Sequence, residues 1–145
     1  MHWYNHDSKE KAAVKKNSVA HFEIYADDPG KLTRFYTSLF DWTSEEMPGM
    51  DYTVLRSVDT NDKGMPTQPG GINGGLLKRP DGFTADAWVN YVNVDSVDTM
   101  TDRAKELGAR MTKGKTAVPG MGWFAMFIDP QGNNFAIWQT DPAAK

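Results

Sequence analysis

The sequence contains no cysteine among its 145 residues. This absence excludes disulfide bonds, thiolate metal sites and thiol nucleophiles. No apolar run approaches the ~20 residues that a helix needs to cross a bilayer, and the N-terminus lacks the apolar core of a signal peptide. We therefore expect a cytoplasmic protein with no membrane partner.

The sequence also lacks a large excess of positive or negative charge. Lys and Arg total 16 and Asp and Glu total 19, which gives a formal net charge of -3, and the two signs are interspersed. A nucleic-acid-binding surface requires clustered basic residues, so nucleic acid is not an expected partner. The hydrophobic content of 39% is ordinary for a globular protein. At this length the chain fits one domain, or two small modules that share one core.

An aromatic-rich pair of apolar runs, at residues 122–128 and 134–139, predicts a buried β-hairpin. The letters DPQGN between the runs predict a type I turn, because aspartate suits its first position, proline its second and glycine its fourth. The first run is apolar on both faces, so the hairpin is expected in the middle of a sheet. The face that carries Ala136 and Trp138 is the expected place for function.

The first half of the chain predicts a strand, a helix and three further strands. Apolar and polar residues alternate strictly over 19–26, which indicates a strand. Asp28 followed by Pro29 is typical of a helix start, and apolar residues at helical spacing extend this helix to about Phe40. Three more strands follow, at residues 42–46, 52–58 and 72–78, with a loop at 59–71.

The same order returns after a shift of 68 residues (96 − 28), which places Ser96 on Asp28. A strand at 88–94 precedes this second helix, and Gly108 predicts the helix end. A short strand at 110–113 and the hairpin then complete the copy. The sequence therefore predicts an α+β fold built from two βαβββ modules.

These patterns set the expected domain boundaries. The first module covers residues 19–80 and the second covers 87–140. A flexible N-terminal segment, 1–18, precedes them, and a C-terminal tail, 141–145, follows. His2 and His6 have the i, i+4 spacing of a helical metal site, but a mobile terminal segment is the simpler interpretation.

Three segments resemble the vicinal oxygen chelate superfamily, which includes glyoxalase I, bleomycin-resistance proteins and extradiol dioxygenases. They are DDPGKLTRFYTSLFDW, VNVDSVDTMTDRAKELGA and GWFAMFIDPQGNNFAIWQ. The resemblance implies that the two modules form a curved mixed sheet, a cup around a central cavity, with the helices outside. It also implies a homodimer, since such proteins commonly pair.

Enzymes of that superfamily usually hold a divalent metal with side chains from the first and last strand of each module. The resemblance puts these four positions at His21, Gly75, Val89 and Ala136. Three of them carry no donor atom, and one imidazole cannot hold Zn²⁺ or Fe²⁺ firmly. We therefore expect no metal cofactor, with His21 as the one retained ligand position.

The candidate site residues lie on the polar face of the first strand and on its counterpart in the second module. His21 and Glu23 are either a metal-free acid/base or substrate-anchoring pair, or a hydrogen-bonded polar face at a module or subunit contact. Trp88 and Trp123 could stack on a planar ligand, although such residues more often belong to a core. The expected ligand-binding set is His21, Glu23, Tyr25, Tyr91, Asn93 and Trp138.

Three functions stay open at this point. The first is a small glyoxalase/bleomycin-resistance-like protein that binds a small organic molecule in a mostly apolar cavity, without the metal centre. The alternative is a glyoxalase-like lyase or isomerase that uses His21 and Glu23 with an atypical metal site. A structural or regulatory dimer with a filled cavity is the third.

Overall fold

The computed structural model describes residues 16–83 and 87–145. These residues fall into two compact units. The first is formed by His21–Trp88, and the second by residues 16–20 together with Val89–Lys145. His2, His6 and most of the segment predicted at 1–18 lie outside the described residues.

Two successive groups of five elements have the same order of strand, helix, strand, strand and strand. The first group is β1 (Val19–Ala26), α1 (Pro29–Phe40), β2 (Thr43–Glu46), β3 (Tyr52–Arg56) and β4 (Asn73–Lys78). The second group is β5 (Val89–Asn93), α2 (Val97–Glu106), β6 (Arg110–Val118), β7 (Gly122–Ile128) and β8 (Asn134–Thr140). The predicted α+β class with two βαβββ modules is confirmed.

In the first unit the strands are ordered β2-β3-β4-β1, and β1 and β4 run parallel. Helix α1 starts as the sequence predicts: the side chain of Asp28 accepts a hydrogen bond from Lys31 N at 3.1 Å, and Pro29 occupies the first turn. Its inner side packs with Leu32 and Tyr36 on one face of the sheet. The buried core there consists of Phe22, Ile24, Ala26, Leu55 and Leu76.

In the second unit the strands are ordered β5-β8-β7-β6, and β5 and β8 run parallel. Strand β7 pairs along both of its edges, with β8 and with β6. The hairpin therefore lies inside its sheet, as predicted. Helix α2 covers a core of Val94, Val97, Ala125, Phe127 and Ile137. Neither helix in the described part of the chain is long and apolar enough to cross a membrane.

Strand β6 is longer than the sequence indicates. The predicted strand ends at residue 113, whereas the observed one continues to Val118. Its pairing with β7 shifts register between Met111 and Lys113 and again between Lys113 and Thr116. Each irregularity breaks the alternation of inward and outward side chains, so the period that marks a strand is lost in this segment.

The turn between β7 and β8 is held by the side chain of Asp129. Gly132 N donates to the Asp129 carbonyl at 3.0 Å, as the predicted turn requires. Asp129 Oδ1 also accepts from Gln131 N at 2.8 Å and from Asn133 N at 3.0 Å. The hydrogen bonds from Asn133, the largest cause, hold the pKa of Asp129 below its ordinary value.

We predict that Asp129→Ala lowers the Tm at neutral pH. Because the folded-state pKa is depressed, the stabilisation is present above the unfolded-state pKa of about 3.9 and is lost as the pH falls through the folded value. The Tm difference should therefore shrink below about pH 4. Calorimetry across this range tests it, with Asp62→Ala in an exposed loop as the matched control. A Tm difference that is independent of pH would contradict the role of the carboxylate.

Candidate functional site

The face of β1 opposite α1 carries the predicted polar residues. Phe22 and Ile24 pack in the core under the helix, and the alternation of the strand sends their neighbours to the other face. There, His21 Nε2 lies 3.8 Å from Glu23 Oε2, and the Tyr25 hydroxyl donates to Glu23 Oε1 at 3.0 Å. The structure thus brings three of the six predicted site residues together.

Tyr52 of β3 completes this arrangement, and the sequence did not single it out. Its hydroxyl oxygen lies 2.7 Å from His21 Nε2, and the two rings are inclined by only 15°. The charge of Glu23 lies close enough to act on the Tyr52 phenol. We call His21, Glu23, Tyr25 and Tyr52 the polar cluster.

The electrostatics of the polar cluster centre on Glu23, which is only 9% exposed. A buried carboxylate is costly unless hydrogen-bond donors surround it, and here the Tyr25 hydroxyl supplies one. Burial, followed by the nearby charge of Glu23, raises the pKa of the Tyr52 phenol. Tyr52 therefore stays protonated at neutral pH.

The Tyr52 ring can lie in the polar cluster because residue 75 is a glycine and has no side chain. In the strand register, Gly75 of β4 lies beside Glu23 on one side and Val54 on the other. A Cβ built on Gly75 would lie 1.8 Å from the Tyr52 hydroxyl oxygen, far inside van der Waals contact. The space that the missing side chain leaves is filled by Tyr52.

The other three predicted residues lie on the second unit. Tyr91 is buried and makes an edge-to-face contact with Phe124, with ring centroids 6.3 Å apart. Asn93 is held through its backbone, which donates to Ser18 O at 2.9 Å. Trp138 Nε1 donates to the Thr140 hydroxyl at 3.1 Å. Since β5 and β8 pair Tyr91 with Ala136 and Asn93 with Trp138, all of these residues share one sheet face.

The two other tryptophans considered for stacking lie under the helices. Trp88 packs against Phe22 and Tyr36 at centroid distances of 5.3 and 5.7 Å. Trp123 belongs to the core that α2 covers, and its Nε1 donates to Asp141 Oδ2 at 2.9 Å. These contacts with core residues do not test whether Trp88 or Trp123 also stacks on a planar ligand, which stays a prediction.

The second unit also has an apolar groove of about 410 Å³ on its helix side. Its lining includes Met100 and Ala104 of α2 and Phe135 and Ile137 of β8. These residues belong to the core under α2 or pack against it. The groove therefore lies at the edge of the contact between α2 and the sheet. It is on the sheet face opposite the one that carries Ala136.

The glyoxalase-like domain family matches residues 21–138. The chain belongs to this family. It is 29% identical over 135 residues to the anthracycline biosynthesis protein DnrV of Streptomyces peucetius. The alignment covers 83% of this chain but only 46% of DnrV. The chain thus spans about half the length of the curated relatives it matches.

Solved structures agree on the fold of this glyoxalase-like domain. A glyoxalase/bleomycin resistance protein/dioxygenase superfamily member from Vibrio splendidus has a TM-score of 0.57 at 14% identity, over 84% of this chain and 97% of that one. A Streptomyces coelicolor methylmalonyl-CoA epimerase has a TM-score of 0.59 at 14% identity, over 87% and 99%. At such identities the likeness concerns the fold.

The four superfamily metal positions can now be compared with the residues that occupy them. Glu23 pairs with Gly75, and its repeat mate Tyr91 (91 − 23 = 68) pairs with Ala136, so positions 75 and 136 are structural counterparts. Val89 and Ala136 are fully buried and carry no donor atom. Among the described residues, no three His, Asp or Glu side chains are grouped so that they could hold a metal ion. The residues present do not fit the metal of the superfamily.

We predict that Gly75→Ala destabilises this glyoxalase-like domain by roughly 1–3 kcal/mol, because the new methyl group overlaps the Tyr52 hydroxyl. In a Tyr52→Ala background the same change should cost little, so the two substitutions are coupled. Chemical denaturation of the wild type, the two single variants and the double variant measures the coupling free energy. Gly30→Ala in α1 is the matched control, since its Cβ would come no closer than 3.6 Å to another atom. Additive effects at positions 52 and 75 would refute the overlap.

Proposed function

We propose that this glyoxalase-like domain binds a small, planar organic molecule at the polar cluster, without the metal centre of the superfamily. The observation that carries the proposal is the position of the Tyr52 phenol. This phenol fills the space that a side chain at position 75 would occupy, and it is hydrogen-bonded to His21, the one retained ligand position. A hydrogen-bonding cluster therefore stands where the resemblance implies metal ligands.

Aromatic rings around the cluster support a planar ligand. His21 and Tyr52 have nearly parallel rings, and Tyr25 lies 4.4 Å from Phe83 between ring centroids. Flat aromatic walls favour flat ligands through offset stacking. The name of the relative DnrV points to anthracyclines, a chemistry of planar, hydroxylated aromatic molecules. The roles of Tyr91, Asn93 and Trp138 as further ligand contacts, and the cytoplasmic location, remain parts of this proposal.

A second candidate is a lyase or isomerase of the glyoxalase kind. It is favoured by the contact of 3.8 Å between His21 and Glu23, a pair of groups able to move a proton. Calorimetric titration with Zn²⁺, Ni²⁺ and Fe²⁺ separates the two functions. Heats of dilution alone are expected for the metal-free binding protein, whereas tight, stoichiometric uptake of any of these ions would favour an enzyme with an atypical metal site.

We predict that His21→Ala weakens the binding of α-naphthol, a planar hydroxylated probe, by about 1–3 kcal/mol, the loss expected for one hydrogen bond to a buried polar atom. The fold should survive, because the His21 side chain is 36% exposed and supports little packing. Calorimetric binding and circular dichroism measure the two effects. Arg34→Ala on α1 is the control and should change neither. A lower Tm with unchanged probe affinity would assign His21 a purely structural role.

We further propose that the chain forms a homodimer. Three large apolar side chains of α1 are about half exposed: Phe35 at 54%, Leu39 at 57% and Phe40 at 51%. Such a patch is typical of a protein contact, and the commonest soluble assembly is a two-fold dimer. The exposed edge strand β2 offers a further pairing surface.

Sedimentation at micromolar concentration should show a dimer, and Leu39→Lys should shift it towards monomer, because a charge replaces an apolar contact. Lys63→Leu in an exposed loop is a control that leaves the patch intact. A wild-type monomer at this concentration would refute the homodimer.

A further inference from the structure

An irregularity in β6 turns Lys113 to the sheet face opposite α2. Met111 pairs with Phe127. In an unbroken register Lys113 would then pair with Ala125, which is fully buried in the core under α2. The observed partner of Lys113 is Met126, whose side chain lies on the other face of the sheet. Bulges of this kind occur next to functional sites, where they re-aim a side chain.

A second irregularity separates Lys115 from Lys113. Lys115 is turned to the helix side, where its Nζ lies 3.0 Å from Asp98 Oδ2 of α2 and 4.6 Å from the ring centroid of Trp123. The Lys113 Nζ lies 5.6 Å from the ring centroid of Phe124, on the other face. The two lysines are therefore close in sequence but contact opposite faces of one sheet.

The rings on the face that Lys113 reaches are held in place. Trp138 Nε1 donates to the Thr140 hydroxyl, and a Cβ built on Gly122 would lie 2.5 Å from the indole, which therefore rests against the backbone. Phe124 pairs with Trp138 and meets Tyr91 edge to face. Such fixed rings stack on a planar ligand at little cost in ordering. We call this face of β5–β8 the aromatic face.

The charge of the aromatic face is positive. Among the residues of β5–β8, the strand registers place Arg110 and Lys113 on this face and no Asp or Glu. Met126 and Ala136 are buried at its centre, which makes the surroundings of the cation partly apolar. A cation beside a ring surface favours a ligand that stacks and carries a negative charge. The polar cluster, with the buried carboxylate of Glu23, has the opposite sign.

We propose that the aromatic face binds planar aryl carboxylates, with the ring on Phe124 and Trp138 and the carboxylate at the Lys113 ammonium. Lys113 is then the specificity-determining residue of this face. The inference rests on the part of the proposed function that makes Tyr91, Asn93 and Trp138 ligand contacts, and it names the class of their ligand.

Calorimetric titration of the full chain with α-naphthoate and with α-naphthamide, its neutral isostere, tests the ligand class. Wild type should bind the carboxylate about tenfold more tightly, the factor that one charge-assisted hydrogen bond supplies. Lys113→Met keeps the apolar stem and should bring the two affinities to similar values. Lys115→Met is the matched control, because it removes the same charge from the opposite face and should preserve the preference. Added salt should reduce the preference of wild type.

NMR spectra of the same titrations test the place of binding. The indole N–H signal of Trp138, assigned by its loss in Trp138→Phe, should shift when naphthoate is added. The indole signal of Trp42, which packs with the core under α1, should stay in place.

The outcomes separate this inference from the proposed function. If neither probe moves the Trp138 signal, Trp138 is not a ligand contact, and that part of the proposed function fails together with the inference. If both probes move it with equal affinity for wild type, the contact stands and the carboxylate class is overturned. An unchanged preference in Lys113→Met, an equal loss in Lys115→Met, or a preference that salt does not reduce overturns the role of Lys113. The polar cluster is judged independently, by the α-naphthol titration of His21→Ala.

Discussion

The candidate site depends on one buried negative charge. Glu23 lies on β1 and is only 9% exposed, and removing a carboxylate from water costs several kcal/mol unless donors replace the lost hydration. The Tyr25 hydroxyl, from the same strand, provides one such donor at 3.0 Å. The Tyr52 phenol of β3 feels the same charge, which raises its pKa, and its oxygen lies 2.7 Å from His21 Nε2.

The local parts of this fold could be predicted from the sequence, because their causes are local. Asp28 and Pro29 mark the start of α1, and Ser96 marks the start of α2 by the same capping chemistry. The alternation of apolar and polar residues in β1 is enough to place His21 and Glu23 on one face. The repeat gave the module order, since two copies of one pattern limit the possible topologies.

The site itself could not be completed from the sequence. Tyr52 and Gly75 are 23 residues apart (75 − 52), and nothing in their neighbourhoods reveals that one fits over the other. That contact depends on the register of β3 on β4, and a slip of one residue would turn Tyr52 to the opposite face. Strand β6 was missed in part for a related reason, since its irregular pairing removes the alternation that a sequence pattern needs.

The fit of Tyr52 over Gly75 also constrains how this chain can change over generations. Any side chain introduced at position 75 collides with the phenol, and removing the phenol first deletes its hydrogen bond with His21. Each single step is therefore harmful, and only the two together restore a side chain at this place in the sheet. Selection for stability therefore acts on positions 52 and 75 together, and the residue tolerated at one position depends on the residue at the other.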